Sequence, residues 1–78
     1  MRSFEFQCHP GDGTFNTTTH EFEEIAAAKA HAGRTAKRIA GPVDVALVGD
    51  GPWEDRYVVT ASPSEFHASG YRLERLDS

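Results

Sequence analysis

The chain has 78 residues and a formal net charge of −4 at pH 7, from 12 acidic residues and 8 Lys or Arg residues. A chain of this length forms a single domain, residues 1–78, and buries only about 60% of the surface that its unfolded form exposes, which argues against a deep catalytic cleft. The mild acidic excess argues against a general phosphate-backbone binder, and the lone cysteine excludes an internal disulfide.

The first part of the chain predicts a β-hairpin. Residues 4–8 alternate apolar with polar side chains, which is the period of a half-buried strand. A Pro-Gly-Asp-Gly turn at residues 10–13 leads into a β-branched stretch at residues 14–19. Pairing the two stretches puts the large apolar residues on one side, because directly opposed residues share a face. The expected pairs are Cys8 with Phe15, Phe6 with Thr17 and Phe4 with Thr19.

A long helix is predicted after the hairpin. Thr19 or His20 can cap it, and Gly41-Pro42 ends it. Acidic residues fill its first turn and basic residues its last turn, which suits the helix dipole. One stripe of the helix is apolar and mostly alanine, so the helix can lie close to a sheet. The stripe consists of Phe22, Ile25, Ala28, Ala32, Ala36, Ile39 and Ala40. Lys29 also falls within the stripe, and we expect its stem to pack at a sheet edge while its ammonium group reaches solvent.

The second half of the chain predicts another hairpin and a fifth strand. Residues 43–48 and 56–61 form the hairpin, in which apolar residues oppose apolar residues. The expected pairs are Val43 with Ala61, Val45 with Val59 and Leu47 with Tyr57. The capping-box pattern at residues 62–65 predicts one helical turn that ends at Gly70. Residues 71–77 predict the last strand.

Together these elements predict an α+β fold, a two-layer sandwich with one long helix packed on a mostly antiparallel sheet of four to five strands. The order along the chain is β-β-α-β-β-short turn-β. The side chains expected at the helix–sheet interface are Phe4, Phe6, Phe15, Ile25, Val45, Leu47, Tyr57 and Val59.

No group of residues predicts catalysis or metal binding. Cys8 faces the core and His9 faces outward, so they cannot share a metal ion, and a buried thiol stays un-ionised. His20, Glu24 and His31 are assigned to one sector of the helix. At a rise of 1.5 Å per residue the two histidines lie about 16 Å apart, too far for one ion. The turn glycines match no phosphate-binding loop, and no nucleophile motif is present. We therefore expect no enzymatic activity, no cofactor and no metal.

An outward-facing apolar patch indicates the function. In the expected pairing Ala46, Val48 and Val58 face away from the helix, where an open sheet face normally carries polar residues. Trp53 lies in the adjoining polar loop, either folded back over the edge of the core or available as a binding anchor. A contiguous apolar patch on a small domain often marks an interface. We expect a non-enzymatic interaction or accessory module that forms a homodimer or binds a protein partner through these four residues.

Nucleic-acid binding is the alternative function. A small regulatory protein of this kind would use Arg34, Lys37 and Arg38 in the basic C-terminal half of the helix. The basic residues spread around the helix, however, and the outer face of the first hairpin lacks the aromatic side chains on which bases stack. We therefore expect nucleic acid to be the less favoured partner.

No segment predicts secretion or membrane insertion. No apolar stretch follows Met1, and residues 57–64, among the longest stretches without a charge, fall far short of the ~20 apolar residues of a membrane span. Abundant Ala, Gly and Arg indicate a GC-rich genome. We expect a cytoplasmic protein of bacterial origin that does not bind membranes.

Overall fold

One antiparallel sheet organises the fold. The structure is a computed structural model, and it describes residues 1–75 of the chain. Its elements are β1 (Arg2–Cys8), β2 (Asn16–Phe22), α1 (Ile25–Ile39), β3 (Val43–Leu47), α2 (Trp53–Arg56), β4 (Tyr57–Pro63) and β5 (Tyr71–Glu74). In space the strands run β2-β1-β3-β4-β5, and every neighbouring pair is antiparallel. The predicted α+β fold, with one long helix on an antiparallel sheet, is confirmed. Residues 76 and 77, which were predicted to end the fifth strand, lie outside the described residues.

The core lies between α1 and the central strands. Alternate residues of β1 and β3 point towards the helix, and Phe4, Phe6, Val43 and Val45 are at most 1% exposed. The facing side chains of α1 are alanines, whose small size lets the helix lie close to the sheet. The fully buried alanines of the helix are Ala28, Ala32 and Ala36. The predicted alanine stripe therefore matches the buried face of α1 at these three residues. Its two ends are wrong, because Phe22 belongs to β2 and Ala40 is exposed beyond the helix.

The register of the first hairpin differs from the predicted register by one residue. The observed pairs include Cys8 with Asn16, Phe6 with Thr18 and Phe4 with His20. The turn explains the shift, because the Asp12 carboxylate accepts hydrogen bonds from the backbone N–H of Thr14 at 3.0 Å and from its hydroxyl at 2.7 Å. This turn keeps Phe15 out of β2. Phe15 is 56% exposed, so its predicted place in the core is wrong.

Strand β2 extends further along the chain than predicted, and α1 begins later. β2 continues to Phe22, because β1 offers it seven consecutive partners. The N-cap of α1 is Glu24, which makes no capping hydrogen bond through its side chain. The predicted capping role of Thr19 and His20 is wrong, since both residues pair with β1.

The second hairpin has the predicted register at one end and a β-bulge at the other. The pairs that match the prediction are Val43 with Ala61 and Val45 with Val59. A bulge next to Ala46 then brings Tyr57 opposite Ala46 and not opposite Leu47. The extra residue reverses the faces of the following side chains. Tyr57 therefore lies on the outer face and Val58 packs against the core, which is the reverse of the predicted arrangement.

Helix α1 ends at the predicted place. Ala40 adopts the left-handed conformation with φ 55°, and the N–H of Gly41 donates to the carbonyl oxygen of Ala36 at 3.2 Å. A Cβ on Gly41 would overlap the carbonyl oxygen of His9. Glycine is therefore required there, because the chain passes too close to the end of β1 for any side chain.

The link between β4 and β5 contains no helical turn. The N–H of Ser64 donates to the carbonyl oxygen of Gly70 at 3.0 Å, so a hairpin closes across the residues predicted as helical. The Ser64 hydroxyl accepts the N–H of Phe66 at 3.3 Å and bonds His67 Nδ1 at 2.8 Å. The predicted turn is wrong because β4 extends through Pro63 and pairs with β5.

Candidate functional site

The helix covers only part of the sheet. α1 packs mainly against β3, β4 and β5, and it contacts β1 and β2 less extensively. Six of the seven residues of β2 are therefore exposed, and Phe22 is half-buried. Asn16, Thr18 and His20 lie on the helix side of the sheet, because they pair with the inward-facing residues of β1. The helix side of β2 is thus an open surface.

β2 is also a long edge strand that carries few of the features that block pairing with another chain. One side of its backbone pairs with β1, and no strand within residues 1–75 pairs with the other side. Natural edge strands are usually short or carry proline, lysine or a bulge, which prevent pairing with another chain. β2 has seven residues, contains no proline, glycine or lysine, and keeps an unbroken register with β1. Its one acidic residue is Glu21. The opposite edge strand, β5, has four residues, of which Arg72 and Glu74 are charged.

Two histidines and two phenylalanines lie beside this edge, on the helix side of the sheet. We call this group the histidine–phenylalanine cluster, and its members are Phe6, His20, Phe22 and His31. The ring centroids of His20 and His31 are 4.7 Å apart. The centroid of His31 is 5.0 Å from that of Phe6 and 5.4 Å from that of Phe22. Aromatic contacts therefore join the edge strand to α1.

The electrostatic environment keeps His31 neutral near pH 7. Burial lowers the pKa of His31 below its ordinary value of 6.5, and positive charge from His20, Arg34 and Arg38 lowers it further. Neither His20 nor His31 makes a side-chain hydrogen bond to any of residues 1–75. Nitrogen lone pairs of this histidine pair are therefore available to solvent or to a ligand.

Sequence reasoning missed the histidine pair. It assigned both histidines to one helix, about 16 Å apart. In the structure His20 belongs to β2, and the chain reverses between β2 and α1 so that the two rings meet. The sequence carries little signal for the pair, because β2 is polar at every residue except Phe22 and no apolar period marks where the strand ends.

On the opposite face of the sheet a row of hydrogen bonds crosses the central strands. His9 Nε2 donates to Asp44 Oδ2 at 3.1 Å, and the Thr60 hydroxyl donates to Asp44 Oδ1 at 2.6 Å. The hydroxyls of Thr60 and Tyr57 share a further hydrogen bond of 2.6 Å. Donors from the protein itself thus occupy both oxygens of Asp44. The polar groups of this row are therefore hydrogen-bonded to one another and stabilise the outer face of the sheet. The Asp44 carboxylate is not free to act as a catalytic base or a ligand.

The four residues predicted as an interface do not form one exposed patch. Ala46 lies on the outer face but is fully buried, and Val58 packs against the core. Trp53 is half-buried in α2, where the guanidinium of Arg56 lies 5.7 Å from its ring centroid. Val48 is 50% exposed. A binding role for these residues stays a prediction, but the contiguous apolar patch that suggested it is absent from the described residues.

Arg34, Lys37 and Arg38 are exposed and lie three and four residues apart on α1, so they share one side of the helix. Arg34 and Arg38 are close enough to His31 to lower its pKa, so they lie towards the histidine–phenylalanine cluster. Lys37 lies beside Gly70, near the start of β5. The C-terminal half of α1 therefore carries a small basic surface of three residues.

Cys8 and Lys29 were also singled out from the sequence. Cys8 is 4% exposed, and burial raises the pKa of its thiol although Arg38 lowers it slightly. The thiol is a core group, as predicted. Lys29 is half-buried on α1.

No family model, curated protein or solved structure matches this chain. None of the helices in residues 1–75 is long and apolar enough to cross a membrane. In the same part of the chain, no group of three or more His, Cys, Asp or Glu residues could hold a metal ion. The candidate site therefore consists of the β2 edge and the histidine–phenylalanine cluster beside it.

Proposed function

We propose that this chain is a small, non-enzymatic protein-interaction module that pairs with a second copy of itself through strand β2. The observation that carries the proposal is the long free edge of β2, which is seven residues long and exposed at six of them. Alternate N–H and C=O groups of an edge strand point away from its sheet and can pair with another strand.

A second copy of β2 fits this edge. Antiparallel pairing of β2 with itself, about a two-fold axis at Thr18 or Thr19, joins the two sheets into one. In those registers Glu21 lies opposite Phe15 or Thr17 and never opposite another acidic residue. The central threonines are β-branched and favour strand pairing. The strand is thus compatible with itself in charge and in backbone preference.

Association would also compensate for the small hydrophobic core of a single chain. A chain of 78 residues buries a limited share of its surface, and oligomerisation is a common remedy for such chains. Phe15 lies directly before β2 and is 56% exposed, with its ring centroid 5.1 Å from that of His9. A strand that pairs with β2 would cover this side chain as well as the backbone edge.

Nucleic-acid binding through Arg34, Lys37 and Arg38 has weaker support. The net charge is −4, and the basic surface of α1 consists of only three residues. Affinity for a phosphate backbone grows with the number of phosphates that Lys and Arg neutralise, so three cations support only weak binding.

Two proline variants test the proposal. Neighbouring residues of a strand direct their N–H groups to opposite sides. The N–H groups of Thr18 and Thr19 therefore point to opposite sides of β2, one to the free edge and the other to β1. Proline has no backbone N–H, so one of Thr18→Pro and Thr19→Pro disrupts the free edge and the other disrupts the pairing with β1. We expect light scattering to give twice the mass of one chain for the wild type. The free-edge variant should have the mass of one chain and a wild-type circular dichroism spectrum.

The matched control is Thr18→Val, which keeps the backbone N–H and the β-branched shape. It should remain dimeric. A wild type that stays monomeric up to millimolar concentration would overturn the proposal. A dimer that survives both proline substitutions would also overturn it, because the contact would then lie on another surface.

A further inference from the structure

We propose that His20 and His31 form half of a site for a zinc-type transition-metal ion, and that the same two residues of a second copy complete the site. This inference rests on the proposed function, because the second pair of histidines reaches the ion only when β2 pairs with β2. The ligand class is a divalent ion that prefers imidazole nitrogen, such as Zn²⁺.

The separation of the two rings fits a shared metal ion. Zinc binds histidine nitrogen at about 2.0–2.1 Å with tetrahedral angles, which places the centroids of two ligating imidazoles about 5 Å apart. The centroids of His20 and His31 are 4.7 Å apart. Phe6 and Phe22 pack against both rings and limit their movement. The pair is therefore held close to the spacing that a metal ion requires.

The ring nitrogens of the two histidines are also free to coordinate a metal ion. A histidine coordinates a metal ion through a ring nitrogen that carries no proton. Neither imidazole donates or accepts a hydrogen bond within residues 1–75, so binding an ion would break no such bond there. Arg34 and Arg38 face His31 and disfavour a cation, so two imidazoles alone would bind it weakly.

A second copy supplies the missing ligands. Structural zinc sites are almost always four-coordinate, and the described residues contain no group of three or more His, Cys, Asp or Glu that could hold an ion. When two copies of β2 pair about Thr19, Thr18 of one copy lies opposite His20 of the other. The two His20 residues are then diagonal neighbours on the helix side, about 7–8 Å apart, which is within reach of long side chains. Four imidazoles thus come to one side of the joined sheet.

The experiment measures self-association with and without metal. We expect sedimentation equilibrium to give a dimer dissociation constant at least about tenfold lower with ZnSO₄ than with EDTA, because an ion that binds only the dimer stabilises it. MgSO₄ should have no effect, since Mg²⁺ prefers oxygen ligands. Native mass spectrometry should find one zinc ion for two chains.

Three matched variants locate the site. His20→Gln and His31→Gln should each abolish the zinc effect and keep the association seen in EDTA. His67→Gln changes a histidine that bonds Ser64 in the β4–β5 link, and it should leave the zinc effect intact. Melting curves in EDTA check that each variant is folded. A zinc effect that survives both His20→Gln and His31→Gln overturns the inference.

The remaining outcomes separate this inference from the proposed function. Equal association in zinc and in EDTA, with no zinc in the mass spectrum, overturns the metal site and leaves β2 pairing standing. One zinc ion bound to each monomer overturns the bridging site. A wild type that is monomeric in both zinc and EDTA overturns both proposals.

Discussion

Gly33 occupies the middle of α1, where glycine lowers helix stability by about 1 kcal/mol relative to alanine. The residue is buried, and a Cβ there would overlap the ring of Tyr71 from β5. The missing side chain therefore makes room for an aromatic ring that connects the short edge strand to the helix. Helix propensity alone would favour alanine at this position, so the packing of Tyr71 accounts for the glycine.

We expect Gly33→Ala to lower the free energy of unfolding by about 1–3 kcal/mol, because overpacking against Tyr71 outweighs the gain in helix propensity. Urea denaturation followed by circular dichroism measures the change. In a Tyr71→Ala background the same substitution should raise stability by about 0.5–1 kcal/mol, since no ring then occupies the space. The same effect in both backgrounds would contradict this account of Gly33.

At the scale of elements, the contact between β2 and α1 differs from the rest of the molecule. The other helix–sheet contacts consist mainly of alanine and valine, whereas this one brings together His20 and His31. Charging either imidazole by protonation would place positive charge beside the second ring and near Arg34 and Arg38. The edge of the sheet beside His31 is therefore one part of the fold that is sensitive to acid.

The direction of this pH dependence follows from the lowered pKa of His31. The folded protein binds the proton less readily than the unfolded chain, whose His31 has the ordinary pKa of 6.5. The stabilising contribution is therefore complete above about pH 6.5 and is lost as the pH falls below it. We expect the melting temperature in EDTA to decrease between about pH 7.5 and about pH 5.5.

Two variants isolate the contribution of His31 to this decrease. His31→Gln should make the melting temperature less dependent on pH, because glutamine does not titrate. His67→Gln removes a histidine from the exposed β4–β5 link and should leave the slope unchanged. A slope that is the same for the wild type and His31→Gln would show that the acid sensitivity arises elsewhere.

At the scale of the whole molecule, few large side chains hold the two layers together. Phe4 and Phe6 are the largest fully buried side chains of the described residues, followed in volume by Val43, Val45 and Thr60. The helix contributes alanines to the same interface. Each buried phenylalanine therefore accounts for a large share of the apolar surface that stabilises the fold.

We expect Phe6→Ala to leave little folded protein at 37 °C. Such a truncation costs about 3–5 kcal/mol, whereas a small domain has only about 5–10 kcal/mol in total. Phe66→Ala is the matched control, because Phe66 is 90% exposed and its loss should change stability by less than about 1 kcal/mol. Thermal melts of the two variants measure the difference. Comparable losses would contradict the core described here.

The features that the sequence predicted correctly depend on local periodicity. The alternation through Phe4, Phe6 and Cys8 predicted the first strand, and the alanine stripe predicted the buried face of α1. Gly41-Pro42 predicted the end of the helix. A buried face imposes a period of 2 on a strand and about 3.6 on a helix, so these patterns report the local structure directly.

The candidate site depends on features that no local pattern reports. β2 is polar along most of its length, so its sequence carries no apolar period from which its register or its end could be read. The turn at Asp12 and the bulge at Ala46 each changed the pairing by one residue, which moves the following side chains to the other face. The position of α1 over β3 and β4 then left β2 open and brought His20 against His31. Such contacts between residues distant in the chain are decided by how the elements pack, and only the tertiary structure contains that information.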